Sequence, residues 1–150
     1  MGNGITSWSY STFALWNECA YKYKLAKIEK RPDPPSKALI EGREAHKETE
    51  NFLKGTAPFP KVASKFEWLL KELVQAPKLL VEQQWAFDRN WRESRWFKDD
   101  RTWYRGVVDA GVIYDDNVVE IIDWKTGKTY EENKDQVELF ALTAMVRYPE

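Results

Sequence analysis

Cysteine and histidine are almost missing from this 150-residue chain, which has one of each, Cys19 and His46. A lone cysteine excludes an internal disulfide framework and any multi-cysteine metal or iron–sulfur site built by this chain alone. It also points to a reducing, cytoplasmic compartment. No run approaches the ~18 apolar residues of a membrane-spanning helix. Met1-Gly2-Asn3-Gly4 lacks the basic-then-apolar pattern of a signal peptide. Neither sign of charge dominates: 23 Lys and Arg stand against 24 Asp and Glu, so the net charge of −1 selects no partner by itself.

Aromatic residues, in contrast, are abundant, with eight Trp, seven Tyr and seven Phe. They can pack a core or stack on nucleobases, and composition does not choose between the two. A hydrophobic share of 43% beside 31% charged residues describes a soluble globular domain rather than a disordered tail. With no internal repeat and no low-complexity linker, residues 1–150 are expected to form a single domain.

Ser7 to Ser11 offer helix caps, and Phe13, Trp16, Ala20, Tyr23 and Lys27 then recur at helical spacing. A first helix is expected from about Ser9 to Lys30, ended by Pro32, Pro34 and Pro35. A second runs from near Ser36 through His46 to about Lys54, and a third from about Lys61 to Gln75. The period then changes. Leu79 to Phe87, Trp103 to Tyr114 and Val118 to Trp124 read as strands, with Asp115-Asp116-Asn117 as hairpin chemistry between the last two. A final helix spans about Tyr130 to Arg147, with Val137, Phe140, Ala141, Ala144 and Met145 on one face. Helices, a meander and a closing helix make an α/β (α+β) fold, a small mixed sheet with a central antiparallel hairpin flanked by helices.

The densest chemical signal is Gly106-Val107-Val108-Asp109, followed by Glu120-Ile121-Ile122-Asp123-Trp124-Lys125. Asp123 and Lys125, two apart on a strand, share a face. A three-residue loop pairs Tyr114 with Val118, and counting back then sets Asp109 opposite Asp123. A two-residue loop would invert the face. Asn117 suits the left-handed residue that closes the longer loop. Two adjacent carboxylates among Val, Ile and Gly repel each other, and a divalent cation relieves that repulsion. Oxygen ligands suit Mg²⁺ or Mn²⁺, which activates water and neutralises charge on a phosphate. Lys125 beside them stabilises developing charge. An Asp–Lys ion pair alone would leave the second carboxylate unpaired.

His46 lies on the second helix within Gly42-Arg43-Glu44-Ala45-His46. A histidine on a helix is usually structural; beside a carboxylate pair it reads as a metal ligand through a neutral imidazole. Gly42 costs about 1 kcal/mol relative to Ala in a helix, which a close approach of backbone or substrate would explain. Glu82 in the first strand is either a solvated residue or an outer carboxylate orienting water, metal or Lys125. Gln136 is either an ordinary helix polar residue, a contact to a substrate backbone or a brace for Lys125. Basic residues cluster twice: Lys22, Lys24, Lys27, Lys30 and Arg31, then Arg89, Arg92, Arg95, Lys98, Arg101 and Arg105, the latter interleaved with Trp91, Trp96 and Trp103. That interleaving suits phosphate neutralisation with base stacking, so Lys22, Lys24, Arg43, Arg92, Arg95 and Arg105 are candidate DNA contacts. A solvated loop and helix face is the other reading of these clusters.

These residues together resemble the PD-(D/E)XK nuclease superfamily, in particular its RecB-like branch with phage and CRISPR-associated exonucleases. Asp109 and Asp123-Trp124-Lys125 resemble its split core. Ser9-Tyr10-Ser11 through Cys19-Ala20-Tyr21-Lys22-Tyr23 resembles its opening helix, Gly42 through His46 its histidine motif, and Gln136-Val137-Glu138-Leu139-Phe140 its glutamine-to-tyrosine helix. The resemblance implies a restriction-endonuclease-like core and metal-dependent hydrolysis of DNA phosphodiesters. It implies His46, Asp109, Asp123 and the Trp124 carbonyl as metal ligands, Asp109, Asp123 and Lys125 as catalytic residues, and Gln136 near the DNA backbone. Phe140 stands where the motif usually has Tyr. Cys19 matches one cysteine of iron–sulfur members whose other cysteines are absent here, so no cluster is expected. The family usually adds strand and helix after the glutamine helix, so the natural protein is expected to extend beyond Glu150.

The expectation is a Mg²⁺- or Mn²⁺-dependent deoxyribonuclease of phage or mobile-element recombination and repair, an exonuclease acting on DNA in the cytoplasm. Two other readings stay open: a DNA-binding module of the same fold without cleavage, and a Trp-rich protein-interaction domain.

Overall fold

The structure is a computed structural model that describes residues 7–31, 33–97, 100–115, 118–125 and 132–149. Its elements follow the expected order: α1 (Tyr10–Glu18), α2 (Ala20–Tyr23), a π-helical turn (Lys24–Ile28), α3 (Lys37–Leu53), a 3₁₀ turn (Lys61–Phe66), α4 (Glu67–Val74), β1 (Leu79–Phe87), β2 (Tyr104–Ile113), β3 (Val119–Ile122) and α5 (Glu132–Arg147). The fold is α/β, with one three-stranded sheet in the order β1-β2-β3. No described helix is long and apolar enough to cross a membrane. The chain divides into two compact units, Met1–Pro35 with Gln84–Gly106, and Ser36–Gln83 with Val107–Glu150.

In the first unit, Ser9 caps α1 reciprocally: the Thr12 amide donates to Ser9 Oγ, and the Ser9 amide donates to Thr12 Oγ1 at 2.8 Å. The expected single helix is broken at Cys19, whose backbone is extended (φ −162°, ψ 107°). Its Sγ instead accepts from the Lys22 amide and starts α2. Cys19 is therefore exposed, where a buried thiol on the Trp16 face is expected from helical spacing. The same break leaves α1 with no buried side chain, and Phe13 and Trp16 are 47% and 53% exposed. Tyr23, Trp85, Phe87 and Tyr104 are the buried aromatics of this unit. Tyr104 lies 4.9 Å from Trp8, 6.4 Å from Phe87 and 5.8 Å from Trp91, ring centre to ring centre. After β1 the chain turns tightly: Asp88 Oδ1 accepts the amides of Asn90 and Arg92 at 2.8 and 3.0 Å, and Trp91 takes a left-handed backbone (φ 58°). The Trp103 amide bonds back to the Phe87 carbonyl at 2.7 Å. Lys98 of the basic cluster lies outside the described residues.

In the second unit, Ser36 caps α3 through the Leu39 amide, and Gly55 (φ 70°) takes the left-handed residue just past its end. The expected third helix is instead a 3₁₀ turn kinked at Ala63 (φ −96°, ψ 16°) and then α4. Leu53, Leu70 and Leu73 pack with Ala110 and Val112 of β2 into one core, to which Phe52, Phe59 and Trp124 add partly buried surface. Each fully buried leucine there contributes on the order of 1.5–3 kcal/mol. The Ile113 amide bonds to the Lys78 carbonyl at 3.0 Å; with the Trp103–Phe87 bond at the other end, this makes β1 and β2 antiparallel. α5 packs on β3. Its buried face is Phe140, Thr143 and Ala144, whereas Val137 and Met145, expected inside, are 37% and 70% exposed. Thr143 tolerates full burial because its hydroxyl donates to the Phe140 carbonyl at 2.9 Å, inside its own helix.

Candidate metal and catalytic site

The site is built within the second unit. Its foundation is the β2–β3 register: Ala110 pairs with Ile122, Gly111 with Ile121, Val112 with Glu120 and Ile113 with Val119. The Tyr114 amide bonds to the Val118 carbonyl at 2.9 Å, which is the pairing of the three-residue loop, although Asp116 and Asn117 themselves lie outside the described residues. One step further along the ladder sets Asp109 opposite Asp123. β3 ends at Ile122, so Asp123, Trp124 and Lys125 leave the strand rather than continue it. They are held by side chains instead.

Asp109, only 9% exposed, is the centre of the arrangement. Its Oδ2 accepts the Trp124 amide at 2.9 Å and lies 3.4 Å from His46 Nδ1 on α3. The bond to Asp109 raises the His46 pKa, against the opposing effect of burial, with further support from the Asp109 charge. Glu82 of β1 joins these two: one ligand atom each from His46, Glu82 and Asp109 lies within 4.8 Å of the others. Glu82 has a left-handed backbone (φ 50°) in the middle of a strand. A non-glycine residue there costs of order 1–3 kcal/mol, and such strain concentrates at functional sites. Burial pushes the Glu82 carboxyl up, and the neighbouring charges of Asp109 and Glu50 push the same way. Lys47 and Lys54 hold Glu50 itself at 2.9 and 2.6 Å.

A second cluster adjoins the first through Trp124. Lys125 Nζ lies 2.5 Å from Asp123 Oδ2 and donates to Gln136 Oε1 of α5 at 3.0 Å. The Asp123 side chain is only 5% exposed. Burial raises its pKa, and the bond to Lys125 opposes that rise.

The donor set fits a divalent cation. An imidazole and two carboxylates converge, and burial together with the neighbouring Asp109 charge makes a negative charge on Glu82 costly. His46, Asp109, Asp123, Trp124, Lys125 and Gln136 all come from segments singled out in the sequence. The structure joins Glu82 to His46 and Asp109, and it gives Asp123 to Lys125. Gln136 meets Lys125. Gly42 lies on α3, half-buried, one turn before His46.

The candidate DNA cations are spread over both units. Arg43 is exposed on α3 in the second. In the first, Lys22 and Lys24 are already paired with Glu18 at 3.1 Å and Glu29 at 3.3 Å. Arg92 and Arg95 are exposed, and Arg105 lies 5.9 Å from the Trp96 ring. Arg89 covers the Trp103 ring at 4.0 Å. What the sequence reading missed is a groove between Trp8, Phe13, Trp16 and Trp103 in this unit. The Phe13–Trp16–Ala20–Tyr23 spacing carried its signal but also fitted an ordinary core face.

The family model of the PD-(D/E)XK nuclease superfamily matches residues 7–146. No curated protein and no solved structure matches the chain. Helices flanking a three-stranded antiparallel sheet, with the acidic pair at the end of its hairpin, are the restriction-endonuclease-like arrangement expected of such a match. The matched span covers nearly the whole chain, and the chain belongs to the PD-(D/E)XK nuclease superfamily.

Proposed function

We propose that this protein is a Mg²⁺- or Mn²⁺-dependent deoxyribonuclease of the RecB-like branch, an exonuclease of phage or mobile-element recombination and repair, working in the cytoplasm. The observation that carries the reading is the convergence of His46, Glu82 and Asp109 beside the Asp123–Lys125–Gln136 cluster. His46, Glu82 and Asp109, with Asp123 and the Trp124 carbonyl next to them, would hold the cation. When bound, it supplies charge neutralisation at the phosphate and lowers the pKa of a bound water.

The chain's own residues do the rest. The Trp124 amide fixes Asp109 Oδ2. Lys125 is ion-paired with Asp123 and donates to Gln136, which leaves a directed cation for the water or for the phosphoryl oxygens. Hydrolysis forms a new P–O bond from water and breaks the bond to the leaving sugar oxygen, which takes up a proton. The exonuclease assignment draws on the order of motifs, from the opening helix to the glutamine helix.

The test is digestion of end-labelled linear DNA and closed-circular DNA with Mn²⁺ or Mg²⁺, and again with excess chelator. Metal-dependent loss of the linear substrate with the circle intact is the expected result. Nicking or linearisation of the circle would make it an endonuclease, and full turnover in chelator would remove the metal from the mechanism. Ca²⁺, larger and more loosely coordinated, is expected to support binding without turnover.

A further inference from the structure

The first unit holds 11 Lys and Arg against seven Asp and Glu, a net charge of +4, and six of the eight Trp. Within it lies an open groove of about 710 Å³, lined by Trp8, Phe13, Trp16, Tyr23 and Trp103, with Lys24 its charged lining residue. That size is in the range of about 300–1,000 Å³ typical of ligand sites. Two of its walls, Phe13 and Trp16, stand about half exposed to water although they sit on a capped helix. Tyr23 forms its buried floor, 8% exposed.

We infer that this groove receives unpaired bases of a single-stranded nucleic acid. The lining is flat and aromatic, with Ile28 and Ala20 its aliphatic members, so it fits a planar π-system better than a branched aliphatic side chain. Base–aromatic stacking is tolerant of sequence because every base has a π-face. The chain that follows α1 is basic: Lys22, Lys24, Lys27, Lys30 and Arg31 stand against Glu18 and Glu29, and Lys24 itself lines the groove. A ligand that combines flat apolar faces with a regular chain of negative charge is a single strand. In a duplex the base faces are stacked inside and out of reach. The inference deepens the proposed function, on which it rests only for the choice of DNA over RNA.

Fluorescence anisotropy in EDTA with a labelled 15-nucleotide oligo(dT) and a blunt 15-bp duplex tests it without any cleavage. Trp16→Ala is expected to weaken oligo(dT) binding about tenfold or more, with Trp16→Phe within about threefold of the parent and duplex affinity changed by less than about twofold. Phe13→Leu, which keeps apolar bulk and loses the flat ring, is expected to weaken oligo(dT) in the same direction, and serves if Trp16→Ala fails to fold by circular dichroism. Unchanged oligo(dT) binding by folded variants, or an equal loss on the duplex, overturns the groove assignment. A dimer in the parent that Trp16→Ala converts to monomer by light scattering also overturns it and assigns the groove to a second copy. Loss of metal-dependent cleavage is read separately on the parent protein, so failure of the nuclease reading leaves the anisotropy result standing.

Discussion

Single residues carry the chemistry here through few, specific contacts. Lys125 is held at 2.5 Å from Asp123 and 3.0 Å from Gln136, a pre-aimed cation rather than a mobile one. Lys125→Met keeps the stem and removes the charge, so kcat is expected to fall roughly 10²–10³-fold, the scale of losing one preorganised donor. DNA binding should stay within about threefold, since stacking and backbone contacts carry it. A single-turnover assay with a parallel binding titration checks this, and wild-type turnover would remove Lys125 from the reaction. Asp123→Asn is nearly isosteric, and burial already disfavours the charge it removes, so cleavage should be lost while the metal-free protein keeps its melting temperature. Tyr104 makes a different case. It is fully buried, its hydroxyl has no hydrogen-bond partner among the described residues, and burial alone pushes its pKa up. Tyr104→Phe should therefore stabilise the protein by about 1 kcal/mol, read as a raised urea midpoint at unchanged slope. A lowered midpoint would mean that the hydroxyl is satisfied.

At the level of elements, the hairpin was the most legible part of the sequence. Loop length, the suitability of Asn117 and the period of two together set the register, and Tyr114 does pair with Val118. Glu82 could not be read in the same way. Its left-handed backbone breaks the strand's alternation, so no periodic argument gives its direction. The first helix misled for a related reason: spacing continues across Cys19, but the backbone there is extended. Periodicity reports which faces a sequence could bury, and a local backbone break decides which it does. Gly111 shows how tightly the hairpin is specified. A Cβ at this position would stand 2.7 Å from the Glu120 carbonyl oxygen, a backbone atom that cannot step aside. Gly111→Ala should cost about 1–3 kcal/mol by overpacking and should reduce cleavage as well, because the Asp109–Asp123 alignment depends on this ladder. Equal stability with full activity would show that the strands separate without consequence for the site.

Across the whole chain, the net charge of −1 conceals a division that composition alone could not reveal. The unit of Met1–Pro35 and Gln84–Gly106 carries +4, and the other, with 12 basic and 17 acidic residues, carries −5. The unit that holds the candidate cation site is the net acidic one, and the unit that holds six of the eight tryptophans is the net basic one. If DNA affinity resides in the basic unit, it must be strongly salt-dependent, because each neutralised phosphate releases condensed counterions. Four to five such contacts give a slope of roughly −3 to −3.5 for log affinity against log salt on a single strand. Lys27→Gln with Lys30→Gln should flatten that slope by about 1.4, two contacts' worth, and should weaken all sequences alike. Lys61→Gln with Lys65→Gln, an equal change of charge on the 3₁₀ turn of the acidic unit, should leave the slope as it was. Titrations between about 50 and 200 mM NaCl in EDTA measure both. Equal flattening by the two pairs would mean that affinity follows net charge rather than the basic unit, and the division of labour between the units would fall with it.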